Sequence, residues 1–560
     1  MSRSILSSSE LPHTTREEVE DVSHCVRKAP ENDVESIALF LGNPWGRRTT
    51  ILRGARDDGT TIIIKESYVD CHRRFEECEL LEHVRGEGYA HGIVCPLSNE
   101  ADQANGQDIV LQNANDSMAK AKHRFVFEDH GYDLTIAQSV NDLLKAVYDT
   151  LEVHRTLASV RGVLHRDMSI FSILMYPHWG YRSDHQVMKH CPPLVDDILD
   201  GELRELGDRK ARCIVINLDN SVKAEGGKAN TIKQPELQRR TGTPPYISRA
   251  VSNGIFCYSH PLMLWSKRMP LLSGEAKDLY VKILGEERYN KYKDTPNCRI
   301  FHGGVPPEEY DEEAMENKVQ SLAFSHRWEY DAESVFWTMY TALLRVTPVG
   351  SEETPISITR FNEDLEVLRK HSFPKQRQPA DSRDKLLAYP RSHFVAAFPE
   401  VMAPVACLLQ DIATHVTPSY AMMDQPPPHN DHLHEAMQRL ILQYLVDNRA
   451  TPIPLVPGTK RAIPIKATAV PIHGTANGTA GVRQSQRTQE QVVTQARGAE
   501  QEYGSERTQG NAQRQRAQAP HVTSRPRAKV ARGIKRLRDP TMNDDVADLR
   551  RNTRRAARKK

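Results

Sequence analysis

From Asn141 to Val160 the chain runs without Gly or Pro. Leu143, Val147, Leu151 and His154 recur on one face, with Leu144 and Leu157 beside them. That spacing predicts a long α-helix with a buried stripe. Asn141 can cap its start and Gly162 can end it. After Gly162 and Val163 come Leu164-His165-Arg166-Asp167, then Ser169 and the apolar Ile173-Leu174-Met175. A buried helix must therefore deliver a charged, histidine-bearing loop at its C-terminal end, and the rest of the fold has to be built around that handover.

Upstream the periodicity is that of strands. Ile51–Arg53 and Thr60–Lys65 flank Asp57-Asp58-Gly59, which predicts a β-hairpin. Arg73 to Val84 is rich in Glu, Leu and His and reads as a helix. Gly92 to Leu97 and Arg124 to Glu128 read as further strands, and Ile214 to Ile216 as a short apolar one. Asp331 to Val346 is apolar and long enough for a buried helix. Strands and one helix followed mostly by helices predict an α+β chain, β-rich first and helical later.

The charge balance divides the chain. It has 560 residues, with 75 Lys+Arg and 73 Asp+Glu. Residues 451–560 hold 23 of the former and only 8 of the latter, so an acidic body precedes a basic tail. The tail is rich in Thr, Gln, Ala, Gly, Pro and Arg. Such a composition buries too little apolar surface to offset roughly 1–2 kcal/mol of backbone entropy per residue, which predicts disorder. No run of about 18 apolar residues occurs, which argues against a membrane-spanning helix. The 9 cysteines show no CxxC pattern, as expected of free thiols in a reducing, intracellular setting.

The motifs fall in a recognisable order. Ile62-Ile63-Ile64-Lys65 is a strand ending in lysine, and Glu77 follows on the next helix, with Glu76 and Glu79 as close competitors. After His165-Arg166-Asp167 come Ile216-Asn217-Leu218-Asp219-Asn220, then Thr241-Gly242-Thr243-Pro244-Pro245-Tyr246-Ile247. Last come Asp331-Ala332-Glu333-Ser334-Val335-Phe336-Trp337. Together with the stretch from Met269 through Tyr292, this set resembles the fungal-type protein kinase family over residues 45–345.

The resemblance implies a two-lobed protein-kinase-like fold. A loose segment at 1–35 precedes a β-rich N-lobe at 36–130 and a helical C-lobe at 131–450. Insertions fall at 176–212 and 252–325, and the disordered basic tail at 451–560. It implies ATP as cofactor, with magnesium, and transfer of phosphoryl groups to protein Ser/Thr hydroxyls. Asp167, Lys65 and Glu77 take the catalytic positions. Lys65, Gly46, Asn217 and Asp219 take the nucleotide positions, and Ser172, Asn217 and Asp219 the metal positions. Asp331 would hydrogen-bond the backbone of the loop carrying Asp167.

Two departures bear on activity. The pattern places Asn five residues after the loop Asp, where this chain has Ser172. It places Asp at the head of the metal motif, where this chain has Asn217. Magnesium prefers anionic oxygens, and both replacements are neutral. Three readings stay open: an attenuated kinase, a pseudokinase serving as a nucleotide-binding or interaction scaffold, and a small-molecule phosphotransferase on the same core, against which Thr241 to Ile247 argues. The Gly-rich loop is also reduced, since Gly42 and Gly46 do not form G-x-G-x-x-G, and Ser248-Arg249-Ala250 lacks the usual closing glutamate.

Other features carry less. His429, His432 and His434 follow three prolines and read as a polar loop entering a helix. A phosphorylated Thr231, Thr241 or Thr243 could pair with Arg166. Lys535-Arg536-Leu537-Arg538 and the Arg/Lys-rich stretch 550–560 suggest a nuclear import receptor as partner and a nucleo-cytoplasmic location. No aromatic residue interleaves these basic residues, which argues against nucleic acid as the partner.

Overall fold

A computed structural model describes residues 36–461, apart from 42–48, 57, 71–74, 87–90, 102, 105–106, 112–118, 180–190, 225–238, 258–267, 293–323, 375–380 and 424–425. All described residues fall in one compact unit, Met1–Ala476, and the second unit, Asn477–Lys560, lies outside them.

The first part is an antiparallel sheet. β1 (Ser36–Leu41) pairs with β2 (Thr50–Ala55), and β2 with β3 (Thr61–Asp70). β4 (Pro96–Ala101) is followed by the short β5 (Gln103–Ala104), β6 (Gln107–Asp108) and β7 (Val110–Leu111). β8 (Lys120–Phe127) lies between β3 and β4, and β7 also pairs with it. The β2–β3 turn closes as its residues predict: Gly59 takes a left-handed φ of 82°, and the Asp58 carboxylate accepts the Thr60 N–H at 2.8 Å. Strand alternation then assigns the faces of β3. Ile62 and Ile64 pack with Leu52 and Val126 on one side. Lys65 and Ser67 are the next buried pair of the strand.

α1 (Glu77–Arg85) buries Glu77, Leu80, Leu81 and Val84, an i, i+3, i+4, i+7 stripe. This fixes which glutamate turns inward, because Glu76 and Glu79 lie off the stripe. The helix begins later than the predicted Arg73; Glu76 stands at its N-cap in extended conformation. The strand predicted at Gly92–Leu97 also begins later, at Pro96. Gly92 has φ 84°, and a Cβ there would sit 2.2 Å from Val153 Cγ2. The chain therefore presses against the long helix at Gly92 and only then enters the sheet.

After β9 (His130–Tyr132), α2 (Val140–Arg161) is the long helix. Its cap is Ser139 rather than Asn141; the Ser139 hydroxyl accepts the Asp142 N–H at 3.1 Å. Gly162 ends it with φ 65°. β10 (Val163–Leu164) pairs with β13 (Val222–Lys223), and β11 (Ile173–His178) pairs with β12 (Cys213–Val215) and β9. Loop 165–172 thus leaves β10 and enters β11, while loop 216–221 leaves β12 and enters β13. The two loops are tied side by side at both ends, although many residues separate them in sequence.

Between β11 and β12 lies α3 (Val195–Asp200). The following helices are α4 (Arg249–Asn253), α5 (Gly274–Leu284), α6 (Glu286–Lys291) and α7 (Trp328–Arg345). α7 is buried at every position from Tyr330 to Leu344, as its apolar sequence predicts. The expected insertions are thus partly regular structure, and α5–α6 is bound to the body by buried charge. Arg288 holds Glu152 of α2 at 2.9 and 3.1 Å, and the Arg439 guanidinium donates to the Tyr289 carbonyl at 2.9 Å. Burial opposes ionisation of Glu435, yet Arg288, Arg155 and Arg439 hold its carboxyl far below the usual range.

Then follow β14 (Val346–Pro348), α8 (Pro355–Lys370), α9 (Asp384–Ala388), α10 (Arg391–Ala396), α11 (Ala403–Val416) and α12 (His432–Asp447). The polar tail expected from 451 begins with ordered residues: β15 (Leu455–Lys460) pairs with β14. Arg461 ends this segment, buried, with Glu353 at 2.6 and 2.8 Å and its guanidinium 4.3 Å from the Phe361 ring centre. A neighbouring carboxylate and a ring can hold a short polar segment that composition alone assigns to disorder. Arg461→Ala is expected to cost about 1–3 kcal/mol, the range for losing charge-assisted hydrogen bonds, read by urea unfolding. A change below about 0.5 kcal/mol would show that β15 is held by pairing alone.

Among the described residues, no helix is long and apolar enough to cross a membrane. The helix entered after the three prolines is α12, whose first turn holds His432 and His434, both buried, with His434 stacked on His154. Among the described residues, Cys78, Cys191, Cys213, Cys257 and Cys407 are free thiols.

Candidate functional site

Strand alternation and the α1 stripe bring Lys65 and Glu77 together. The Lys65 ammonium donates to Glu77 Oε2 at 2.7 Å and Oε1 at 2.9 Å, and both residues are buried. Its third hydrogen bond goes to Asn217 Oδ1 at 2.9 Å. The three donors of an ammonium are thereby all engaged. Asn217 reaches Lys65 from a left-handed backbone, φ 70°, a conformation Asn tolerates better than most residues. It opens the short 3₁₀ turn Leu218–Asn220.

That same turn reaches the other loop. Asn220 Nδ2 donates to Asp167 Oδ2 at 2.7 Å, and Thr243 Oγ1 donates to Asp167 Oδ1 at 2.8 Å. Asp167 N–H faces His165 Nδ1 at 3.3 Å, and His165 Nε2 faces the Ile216 carbonyl at 3.0 Å. The consistent tautomer has Nε2 protonated and donating to Ile216. Burial keeps the imidazole neutral by lowering its pKa. Neither Asn220 nor the Thr243–Asp167 contact was foreseen. The only signal for them was position: the residue ending the 216–220 motif, and the Thr after Gly242.

Beneath the loop, Asp331 lies fully buried on α7. Its Oδ2 accepts the His165 N–H at 3.0 Å and His154 Nε2 at 2.8 Å. Its Oδ1 accepts the Arg166 N–H at 2.9 Å and His326 Nε2 at 3.2 Å. Burial opposes the charge, but the surrounding imidazole donors outweigh it and hold the carboxyl well below the usual carboxylate range. Arg166 needs this support, since its φ of 66° is left-handed. The segment carrying Thr243 is fixed to the same helix: Arg249 pairs with Glu333 at 2.7 Å. That buried pair stands where the expected closing glutamate is missing.

The nucleotide and metal positions differ in what their donors can hold. Lys65 is a buried cation, and an anionic phosphate oxygen is a better acceptor for its third N–H than the neutral Asn217 amide. The site therefore fits a polyphosphate. Magnesium fares differently. The Ser172 hydroxyl is wholly buried, donates to the Asp167 carbonyl at 2.9 Å, and accepts the Ser169 N–H at 2.7 Å. It closes the loop on itself instead of facing a ligand. Asn217 turns its oxygen to Lys65. Of the three expected metal residues only Asp219, 8% exposed, carries a charge. Among the described residues no cluster of three or more His, Cys, Asp or Glu is arranged to hold a metal ion. This donor set does not fit magnesium. Gly46 and Thr231 lie outside the described residues.

A buried lysine–glutamate pair, a loop aspartate and an anchoring aspartate define a kinase-like site. A family model described as fungal protein kinase matches residues 95–342. Over that region the chain is similar to the fungal protein kinase family. Lys65 and Glu77 precede the matched region and rest on the geometry above. Solved structures with similarity include the crystal structure of the BubR1 kinase domain, 9% identical, over 70% of this chain and 87% of that one. Its TM-score is 0.26. No curated protein matches the chain.

Proposed function

We propose that the chain is an ATP-binding kinase whose phosphoryl transfer to protein Ser/Thr hydroxyls is attenuated. The observation that carries this reading is the Lys65–Glu77 pair, with two N–H groups held by the carboxylate and one on a neutral, displaceable amide. Lys65 would take a phosphate oxygen in place of Asn217. Asp167 would orient the acceptor hydroxyl and accept its proton. The hydroxyl oxygen forms the new bond to the γ-phosphorus, the β–γ bridging bond breaks, and ADP leaves with its electron pair. No charged side chain at positions 172 or 217 assists, so this step is slow.

A second reading, a scaffold that binds nucleotide without transfer, is favoured by the Ser172 hydroxyl being sealed into its own loop. Both readings carry a two-lobed protein-kinase-like arrangement, a β-rich N-lobe and a helical C-lobe. The basic clusters at 535–538 and 550–560, outside the described residues, support recognition by a nuclear import receptor.

Thermal unfolding of the full chain with ATP, with and without magnesium, separates the readings. ATP is expected to raise the midpoint in both conditions, and Lys65→Ala to abolish the rise. Transfer of labelled γ-phosphate to a degenerate Ser/Thr peptide library is expected to be slow but measurable. Binding without transfer would favour the scaffold. No ATP-dependent rise would sink both nucleotide readings.

A further inference from the structure

We propose that Asn220 is a positioning residue for Asp167, holding the carboxylate where Ser172 braces only the backbone. This inference rests on the phosphoryl-transfer reading above. Ser172 braces only the backbone of residue 167, by donating to its carbonyl at 2.9 Å. The carboxylate itself is held by two other groups: the Thr243 hydroxyl on Oδ1 and the Asn220 amide on Oδ2, at 2.8 and 2.7 Å. These donors come from different segments, so together they fix the plane of the carboxylate. Each oxygen keeps lone-pair capacity for an acceptor hydroxyl.

Asn220 also links two halves of the site. It ends the 3₁₀ turn that Asn217 opens. One residue of this turn lies on the lysine that would meet phosphate, and the other on the aspartate that would meet the hydroxyl. The β12 and β13 pairings anchor both ends of the segment. Displacing the turn at 217 would therefore be felt at 167. Misplacing a reacting group by about 1 Å can cost about a hundredfold in rate, which is the scale at stake.

The test uses the full chain, labelled ATP and the degenerate Ser/Thr peptide library. It compares wild type with Asn220→Ala and Asn220→Asp, each also in an Asn217→Asp background, where transfer is expected to be faster. Asn220→Asp keeps the size but removes the N–H donor. Both substitutions are expected to lower kcat at least tenfold, with KM for ATP and the ATP-induced rise in Tm unchanged. A purely structural role would instead lower the Tm rise and alter KM together. Transfer with kcat within twofold of the parent in both variants would overturn the positioning role while leaving the phosphoryl-transfer reading intact. No transfer in either parent would sink that reading, and the positioning role with it.

Discussion

Asn217→Asp is expected to raise magnesium-dependent phosphoryl transfer by about one to three orders of magnitude. A unit charge at about 4 Å is worth about 1–4 kcal/mol between water-like and surface-like dielectric, and each 1.36 kcal/mol is about tenfold in rate. The change is nearly isosteric, and Asp tolerates the left-handed backbone at 217 almost as Asn does. It gives a cation the anionic oxygen that the present donor set lacks. The companion change Ser172→Asn is expected to do less. Residue 172 is wholly buried and bonded into its loop, so a larger side chain there would strain the packing by about 1–3 kcal/mol. The check is initial rates of labelled phosphate transfer with and without magnesium. Equal rates in Asn217→Asp and wild type would show that charge at 217 is not what limits the site.

Much of this site could be read from the sequence because it depends on periodicity. Lys65 and Glu77 meet because strands alternate and helices repeat near every fourth residue, and both patterns are printed in the residues themselves. The α2 handover to His165 was legible for the same reason, and α7 for its unbroken apolar run. Side-chain contacts across distant loops were not. Asn220 reaches Asp167, and Ser172 turns inward, only because β10–β13 and β11–β12 pair; pairing of two- and three-residue strands leaves no local pattern. Ser139 displaced Asn141 as the cap by a backbone difference of two residues, which composition cannot resolve. The ordered residues 455–461 were hidden because their stability comes from β14, Glu353 and Phe361, all remote in sequence.

Asp331→Asn is expected to destabilise the fold by about 3–5 kcal/mol, the range for removing one partner from a buried charged network. Four donors converge on this carboxylate: two backbone N–H groups of the 165–166 loop and two imidazoles. An amide can accept at one oxygen only, so two of those buried donors lose their acceptor. The pH dependence identifies the charge. The folded carboxyl is held below its ordinary value, so its contribution is complete above about pH 4, the unfolded carboxylate value. It is lost as pH falls further toward the folded value. His326 and His434 act in a different window. Burial lowers both, so the unfolded chain binds their protons first, and stability drops as pH falls below about 6.5. Urea unfolding of wild type and Asp331→Asn from pH 8 to pH 3 separates the two. Both proteins should lose stability below about pH 6.5. Only wild type should lose the additional carboxylate contribution below about pH 4. A cost under 1 kcal/mol at pH 7 would mean that the loop carrying Asp167 is held by its strand pairings and not by α7.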